Sequence, residues 1–187
     1  MIRVRPPLGL LMAGMLLWTA TPAHPAALIS HLTVSTDTER LLLNLGLEEA
    51  FPARVKERVL EGKPVSIVFT VRLNRVRDLW LDERIADVVL EHVLRYDRVK
   101  NEYTVRRSWR GFEAETTPSL EEAQQWMSTI EGFPLAALDR LARGASYALH
   151  AKAGIVRRGL PLGLHHALFF LSFWEEETDW YVLHFPY

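Results

Sequence analysis

The strongest constraint on the fold is the alternation of apolar and polar residues between Pro64 and Arg75. Apolar side chains occupy every second position on one side of this segment: Val65, Ile67, Phe69, Val71 and Leu73. The side chains that point the other way include four polar ones: Ser66, Thr70, Arg72 and Asn74. Successive side chains of a β-strand point to opposite faces of its sheet, so a period of two predicts a strand. We expect one face of this strand in the core and the other in water.

Further segments, all alternating except the mostly apolar residues 41–47, also predict strands. They are residues 28–35, 41–47, 103–109 with a continuation at 111–116, 146–156 and 180–185. The first two flank turn-forming residues, which predicts an opening hairpin. Residues 84–96 fit either a helical face or a strand, but the Val88-Val89 pair and the turn-forming residues 96–101 favour a strand.

Three other segments predict helical structure. Within residues 52–60, Val55, Val59 and Leu60 share one helical face, and Gly62 lies where a helix C-terminus needs a left-handed residue. A second helix begins at a capping box, and a third segment adds a short turn.

The sequence Ser119-Leu-Glu-Glu122 is a capping box, in which the serine hydroxyl accepts a backbone N–H and the glutamate reaches back to the serine. It predicts a helix that runs to about Ile130 and stops at Gly132, and residues 135–141 add a short helical turn. The whole pattern predicts a mainly β fold: an antiparallel, β-sandwich-like single domain with two or three peripheral helices.

The N-terminus has the three-part plan of a secretory signal peptide. Two arginines precede an apolar run at residues 8–20, which is shorter than the roughly 20 residues that a membrane-spanning helix needs. Small side chains at Thr21 and Ala23 predict cleavage after Ala23, with residues 26–27 as the second choice. The alternative is that the segment stays attached as an anchor. Either way, we expect export through the inner membrane.

Removal of residues 1–23 would leave a single mostly β domain, residues 24–187, in the periplasm. The whole chain has a formal charge of −1, and the loss of two arginines without any acidic residue changes it to −3. Such a domain lacks the basic footprint that nucleic-acid binding needs. The chain has no cysteine, which excludes disulfides, thiol catalysis and a lipid attached to cysteine. Its stability must therefore come from a hydrophobic core.

The sequence lacks the motifs of common catalytic, cofactor and metal sites. Gly144-Ala-Ser146 lacks the second glycine of a nucleophile turn, and no Gly-rich phosphate loop occurs. No two histidines stand four residues apart, and His92 lies among apolar residues, as a neutral core histidine does. The acidic residues from Glu175 to Asp179 lack the ordered spacing of a calcium loop. We therefore predict no catalytic residue, no cofactor and no metal ligand.

Basic and aromatic residues around the predicted hairpin at 84–109 form a candidate binding surface. Its members are Trp80, Arg95, Tyr96, Arg98, Tyr103, Arg106, Arg107 and Trp109. Arginine and aromatic side chains contribute strongly to binding when they are desolvated. In the alternative, interleaved acidic residues neutralise the arginines across the strands and the aromatic rings belong to the core.

Short motifs follow one another along nearly the whole mature chain. They are Leu-Asn-Leu at 43–45, Phe51 before Leu-Glu-Gly-Lys-Pro at 60–64, Ser-Ile-Val-Phe-Thr-Val at 66–71, Arg77-Asp-Leu-Trp80, Leu94-Arg-Tyr-Asp97 with Tyr103, Ser119-Leu-Glu-Glu-Ala123, Arg158-Gly-Leu-Pro161 and Thr178-Asp-Trp180. In this order the motifs resemble DUF4390, a family of exported or membrane-anchored bacterial proteins. The resemblance implies no catalytic residues, because the family has no assigned activity. It implies a gene beside that of an NtrY-like transmembrane histidine kinase.

These observations predict an exported envelope protein that is not an enzyme. We expect a periplasmic accessory module that binds a protein partner and so modulates a membrane sensor histidine kinase of an NtrY-like two-component system. The alternative is an envelope structural or lipid-interacting protein, in which the apolar residues 160–174 contact a membrane.

Overall fold

The computed structural model describes residues 27–156 and 174–187. The predicted signal peptide, residues 1–23, lies outside these ranges, and so does all of the apolar segment 160–174 except its last residue. Within the two ranges, no helix combines the length and the hydropathy that crossing a bilayer would require.

The described residues fold into ten strands and two α-helices. In chain order these are β1 (Leu28–Thr36), β2 (Arg40–Glu48), α1 (Ala53–Leu60), β3 (Val65–Arg75), β4 (Glu83–Asp97), β5 (Glu102–Arg107), β6 (Ala114–Thr117), α2 (Leu120–Ser128), β7 (Thr129–Ala137), β8 (Ser146–Val156), β9 (Trp174–Glu177) and β10 (Tyr181–Pro186). Ser108–Arg110 and Leu138–Arg140 each form a single turn of 3₁₀ helix.

The strands form two antiparallel sheets. One has the order β1-β2-β7, and the other has the order β10-β8-β3-β4-β5-β6, with β9 also paired to β8. Apolar residues from both sheets belong to one core, for example Leu43 of β2 and Phe69 of β3, neither of which has exposed surface. The predicted mainly β, antiparallel, sandwich-like fold is confirmed, with two helices.

Several local predictions are confirmed. β1 pairs with β2 as the opening hairpin, and the ambiguous residues 84–96 belong to the strand β4. Helix α1 buries Val55 and Val59, as its periodicity predicts. Leu60, in contrast, is 46% exposed. It is the last residue of the helix and is rotated by about 100 degrees from Val59, so it leaves the buried face.

The prediction that β3 has one wet face is wrong for most of its length. The predicted core residues are buried, but Ser66, Val68 and Thr70 on the other face are also no more than 6% exposed. The reason is the position of β3 between β4 and β8. Ser66, for example, lies between Val93 and Val156 across the two ladders, and larger neighbours on both sides cover short side chains.

Helix α2 ends earlier than its sequence predicts. It stops at Ser128, and the chain continues directly as β7, which carries the buried Ile130 into the ladder with β2. Gly132 does not end a helix. It adopts φ +65° within β7, where the two strands shift in register, and its N–H donates to Asn44 Oδ1 at 2.9 Å. The short helical turn predicted at 135–141 is confirmed only for Leu138–Arg140, which form a 3₁₀ turn, whereas residues 135–137 still belong to β7.

The capping box forms only in part. Ser119 Oγ accepts the N–H of Glu122 at 3.3 Å, as predicted. The Ser119 N–H, however, donates to Thr117 Oγ1 at 3.1 Å rather than to Glu122. The Glu122 carboxylate instead accepts a hydrogen bond from the Thr117 hydroxyl. Thr117 ends β6 two residues before Ser119, so its hydroxyl lies between the Ser119 N–H and the Glu122 carboxylate.

His92 of β4 is the central polar residue of the core and has no exposed surface. Trp109 Nε1 donates to His92 Nε2 at 3.0 Å, so the ring hydrogen lies on Nδ1, which donates to the Met127 carbonyl at 2.9 Å. Burial, reinforced by the nearby Arg107 charge, lowers the pKa of His92 to about 4 although the Met127 hydrogen bond raises it. Both ring nitrogens are satisfied only in the neutral form.

Arg107 of β5 lies beside this histidine and is 6% exposed. Its guanidinium binds Glu115 of β6 through two N–H groups, Nε to Oε1 at 3.2 Å and Nη2 to Oε2 at 2.5 Å. A buried charge is tolerated when it is paired and hydrogen-bonded, so this pair is part of the structural framework.

We expect His92 to make stability fall in mild acid. Its pKa lies near 4 in the folded protein and near 6.5 when unperturbed, so protons bind preferentially to the unfolded chain. Neutral His92 contributes its full share to the free energy of unfolding above pH 6.5. That share, about 3 kcal/mol in total, is lost as the pH falls to about 4. Urea unfolding across this range should show the loss in wild type and in His184→Gln but not in His92→Gln. Parallel pH profiles of wild type and His92→Gln would contradict this role.

The Arg107 pair predicts a second effect on stability. Glu115→Gln leaves the buried guanidinium without its compensating charge and should lower the free energy of unfolding by about 2 kcal/mol. Glu113 is exposed and two residues away, so Glu113→Gln should change it by less than about 0.5 kcal/mol. Denaturant unfolding of the two matched variants measures the difference. Equal effects would mean that Glu115 does not compensate the charge.

Candidate functional site

The structure does not bring the eight residues of the predicted binding surface together. Trp80 lies in the loop 76–82 that joins β3 to β4, whereas Tyr96 and Tyr103 flank the turn that joins β4 to β5. The strand β4 has 15 residues, so its two ends are roughly 40 Å apart. Trp80 is therefore not part of one surface with the others. Trp80 precedes β4 and Tyr96 lies near its end, so the two residues are close in the sequence but lie at opposite ends of the strand.

Tyr103 is a core residue rather than a surface residue. It is 7% exposed and stacks on Tyr96, with ring centroids 4.6 Å apart and an interplanar angle of 25°. Burial raises the pKa of the Tyr103 hydroxyl. The Tyr96 hydroxyl donates to Asn101 Oδ1 in the turn. The two rings fasten the β4–β5 hairpin together, and this accounts for their occurrence as a pair.

Trp109 is half-buried and is held from several sides. It lies in the 3₁₀ turn after β5, not on the strand that its alternation with Tyr103 predicts. Its indole N–H donates to His92, and its ring meets Phe133 edge-on at 6.3 Å. The guanidinium of Arg110 lies 4.8 Å from the ring centroid. Trp109 and Arg107 thus belong mainly to the framework around His92.

Arg95 and Arg106 are two exposed residues of the predicted surface that lie close together. In the β4–β5 ladder Arg95 lies opposite Thr104 and Arg106 lies opposite Val93, so the two arginines are diagonal neighbours on one face. This face is opposite the one that buries Leu94. The two side chains line a groove of about 450 Å³, which we name the basic groove. Its lining residues are Pro64, Val93, Arg95, Asp97, Thr104 and Arg106.

The acidic residue that lines the basic groove, Asp97, accepts hydrogen bonds from the backbone of the β4–β5 turn. Asp97 Oδ1 accepts the N–H groups of Val99 at 2.9 Å and Lys100 at 3.1 Å. These hydrogen bonds, that of Lys100 first, lower the pKa of Asp97. The carboxylate therefore closes the turn between β4 and β5 and remains ionised at neutral pH.

The alternative for these basic residues, neutralisation by acidic residues across the strands, applies to only some of them. Arg107 is neutralised by Glu115. Across residues 27–156 and 174–187, neither Arg95 nor Arg106 forms an ion pair. Arg98 lies next to the groove, with its aliphatic stem packed over Gly62, two residues before Pro64. The groove therefore presents guanidinium groups whose hydrogen-bonding capacity is open to a ligand.

The chemistry of the basic groove is that of anion recognition. Two neighbouring guanidinium groups can each donate two parallel hydrogen bonds to a carboxylate or a phosphate, and the Thr104 hydroxyl can add another. Among the described residues, no cluster of His, Asp and Glu could hold a metal ion. In the predicted acidic cluster, Glu177 is bound to Lys152 at 2.7 Å.

Sequence reasoning missed two sets of surface residues. Val93 and Thr104 line the groove because the register of the β4–β5 ladder places them beside the arginines. The sequence signal for this register was the hairpin turn at 98–101, which sets how the two strands pair. Leu79 and Leu81 flank Trp80 and are 90% and 91% exposed. Their signal in the sequence is a run of three apolar residues inside a turn.

The family model for a domain of unknown function, DUF4390, matches residues 24–184. No curated protein and no solved structure matches the chain significantly. The matched range covers most of the chain and includes every described strand and helix except the last residues of β10. The chain therefore belongs to the DUF4390 family.

Proposed function

We propose that this protein is a non-catalytic accessory module of the bacterial cell envelope, and that its basic groove binds an acidic segment of a protein partner. The partner in this proposal is the outer domain of an NtrY-like membrane sensor histidine kinase. The observation that carries the proposal is the pair of adjacent, exposed arginines, Arg95 and Arg106, in a groove whose lining acid, Asp97, accepts hydrogen bonds from the backbone of the turn.

The contrast with the neighbouring arginine supports a binding role. Arg107 is buried and compensated by Glu115, as a structural charge must be. Arg95 and Arg106 are exposed, and like charges at diagonal positions of a ladder destabilise the folded chain slightly. A bound carboxylate would remove this repulsion. Recognition of an acidic segment is a role that fits this pair.

The groove is also preorganised for binding. The stacked Tyr96 and Tyr103 rings fix the two strands, and Asp97 fixes the turn beside them. A rigid platform costs little conformational entropy when a ligand binds, so more of the interaction energy contributes to affinity. The location in the envelope rests on the N-terminal segment of the sequence, and the identity of the kinase rests on the family resemblance.

The double variant Arg95→Glu/Arg106→Glu should abolish partner binding. Each lost charge-assisted contact weakens binding by about tenfold or more, so calorimetry with the purified outer domain of the kinase should show a loss of at least about 100-fold. Arg140→Glu/Arg143→Glu makes the same charge change at two exposed arginines outside the groove and is the matched control. Equal affinity of the two double variants would refute the groove as the binding site.

Crosslinking in the cell tests the identity of the partner. A photoreactive amino acid in place of Thr104, in the floor of the groove, should crosslink to the sensor kinase, and the arginine reversal should remove the product. Crosslinking to other proteins alone, or a kinase product that survives the reversal, would contradict the proposal.

Export predicts a shortened chain in the periplasm. Mass spectrometry of the protein from fractionated cells should find His24 as its first residue, because Ala23 supplies the small side chain that signal peptidase requires. Ala23→Leu should block this cut or move it to residues 26–27. A full-length chain in the cytoplasmic fraction would show that the N-terminus is not an export signal.

A further inference from the structure

We propose that the loop between β3 and β4 inserts its apolar tip, Leu79-Trp80-Leu81, into the surface of a phospholipid bilayer. The three side chains are 90%, 80% and 91% exposed. The run Trp180-Tyr181-Val182 is less exposed, at 41%, 44% and 40%, and continues into β10, and Val99 stands alone in its turn. This contact is independent of the basic groove and goes beyond partner binding.

The loop is a defined protrusion at the end of the sheet. The Val76 N–H donates to the Ser146 carbonyl at 2.9 Å, which ties the base of the loop to β8. Arg75 and Arg77 both pair with Glu83, which closes the loop from β3 to β4. The apolar tip therefore projects beyond a fixed base rather than folding back onto the core.

The shape of the tip suits a bilayer better than a protein groove. Consecutive residues in a turn point in different directions, so three apolar residues in a row make the tip apolar on several sides. A bilayer surrounds an inserted tip, whereas a protein groove covers one side of it. Trp80 has the amphipathic ring that is enriched at membrane interfaces.

The area of the apolar tip argues against a second copy of the chain as its occupant. Three such side chains offer at most about 500 Å² of surface. A stable protein interface buries roughly 800 Å² on each partner. The tip alone is therefore too small for a stable dimer, but a bilayer needs no complementary surface.

The charges around the apolar tip set its depth and its lipid preference. Residues 75–84 contain three arginines and three acidic residues, so the segment is neutral. Asp78 and Asp82 directly flank the tip, and their carboxylates must stay at the headgroups. Insertion is therefore limited to about 10 Å, the depth of an interfacial segment. A neutral tip binds zwitterionic headgroups as well as anionic ones, and salt has little effect on it.

The test uses phosphatidylcholine vesicles with brominated acyl chains and the protein as cells process it. Trp80 fluorescence should be quenched by the brominated chains. The variant Trp80→Phe keeps the ring apolar and identifies the part of the signal that comes from Trp80 rather than from the other tryptophans. The triple variant Leu79→Ser/Trp80→Ser/Leu81→Ser should lower the vesicle partition coefficient more than tenfold. Val99→Ser, at an exposed apolar residue in the turn at the other end of β4, should leave it unchanged. All four sites are exposed, so the unfolding midpoint should stay constant.

Three results would overturn the proposal. The first is equal partitioning of wild type and the triple variant. The second is binding that requires anionic phosphatidylglycerol and is lost in high salt. The third is self-association through the tip in sedimentation experiments without quenching by lipid. Arg95→Glu/Arg106→Glu should partition like wild type, so failure of the groove and failure of the tip are distinguishable.

Discussion

The structure depends on the central position of β3, which pairs along its whole length with β4 on one side and from Ser66 onward with β8 on the other. Its inward side chains lie in the core that the two sheets share, and the chain has no disulfide to supplement that core. Burial of this apolar row is the main source of stability. Because both neighbours are bound to β3, their positions and their outward faces follow from this one strand. The groove on β4 and the loop after β3 are both consequences of it.

The cationic and histidine side chains of the β4–β5 hairpin and the turn after it differ in whether their hydrogen bonds are made within the described chain. His92 uses both ring nitrogens, which hold α2 and the 3₁₀ turn against the sheet. Arg107 uses the carboxylate of Glu115, which joins β5 to β6. Arg95 and Arg106 lie on the opposite face of the same hairpin and retain their donors. A strand alternates between two faces, so one hairpin carries both the structural and the exposed arginines.

The two proposed contacts lie at opposite ends of β4. If the apolar tip lies in a membrane surface, the basic groove is held away from that surface, on the far part of a rigid sheet. The distance is of the order of the length of the strand, roughly 40 Å. This arrangement would present the groove to the outer domain of a membrane protein without competition from lipid headgroups. The two contacts use different physics, hydrophobic insertion at the tip and charge-assisted hydrogen bonds in the groove.

The sequence by itself determined the properties that depend on neighbouring residues: the alternation of β3 and β8, the hairpin of β1 and β2, the serine cap of α2, and the family, through the order of short motifs. Only the tertiary structure decided which strands are neighbours. That choice buried the second face of β3, turned the predicted end of α2 into β7, placed Tyr103 and Arg107 inside, and separated Trp80 from the groove by the length of a strand. The physical reason is that a period of two records which side chains share a face, whereas burial depends on what packs against that face, and the packing partner comes from a distant part of the chain.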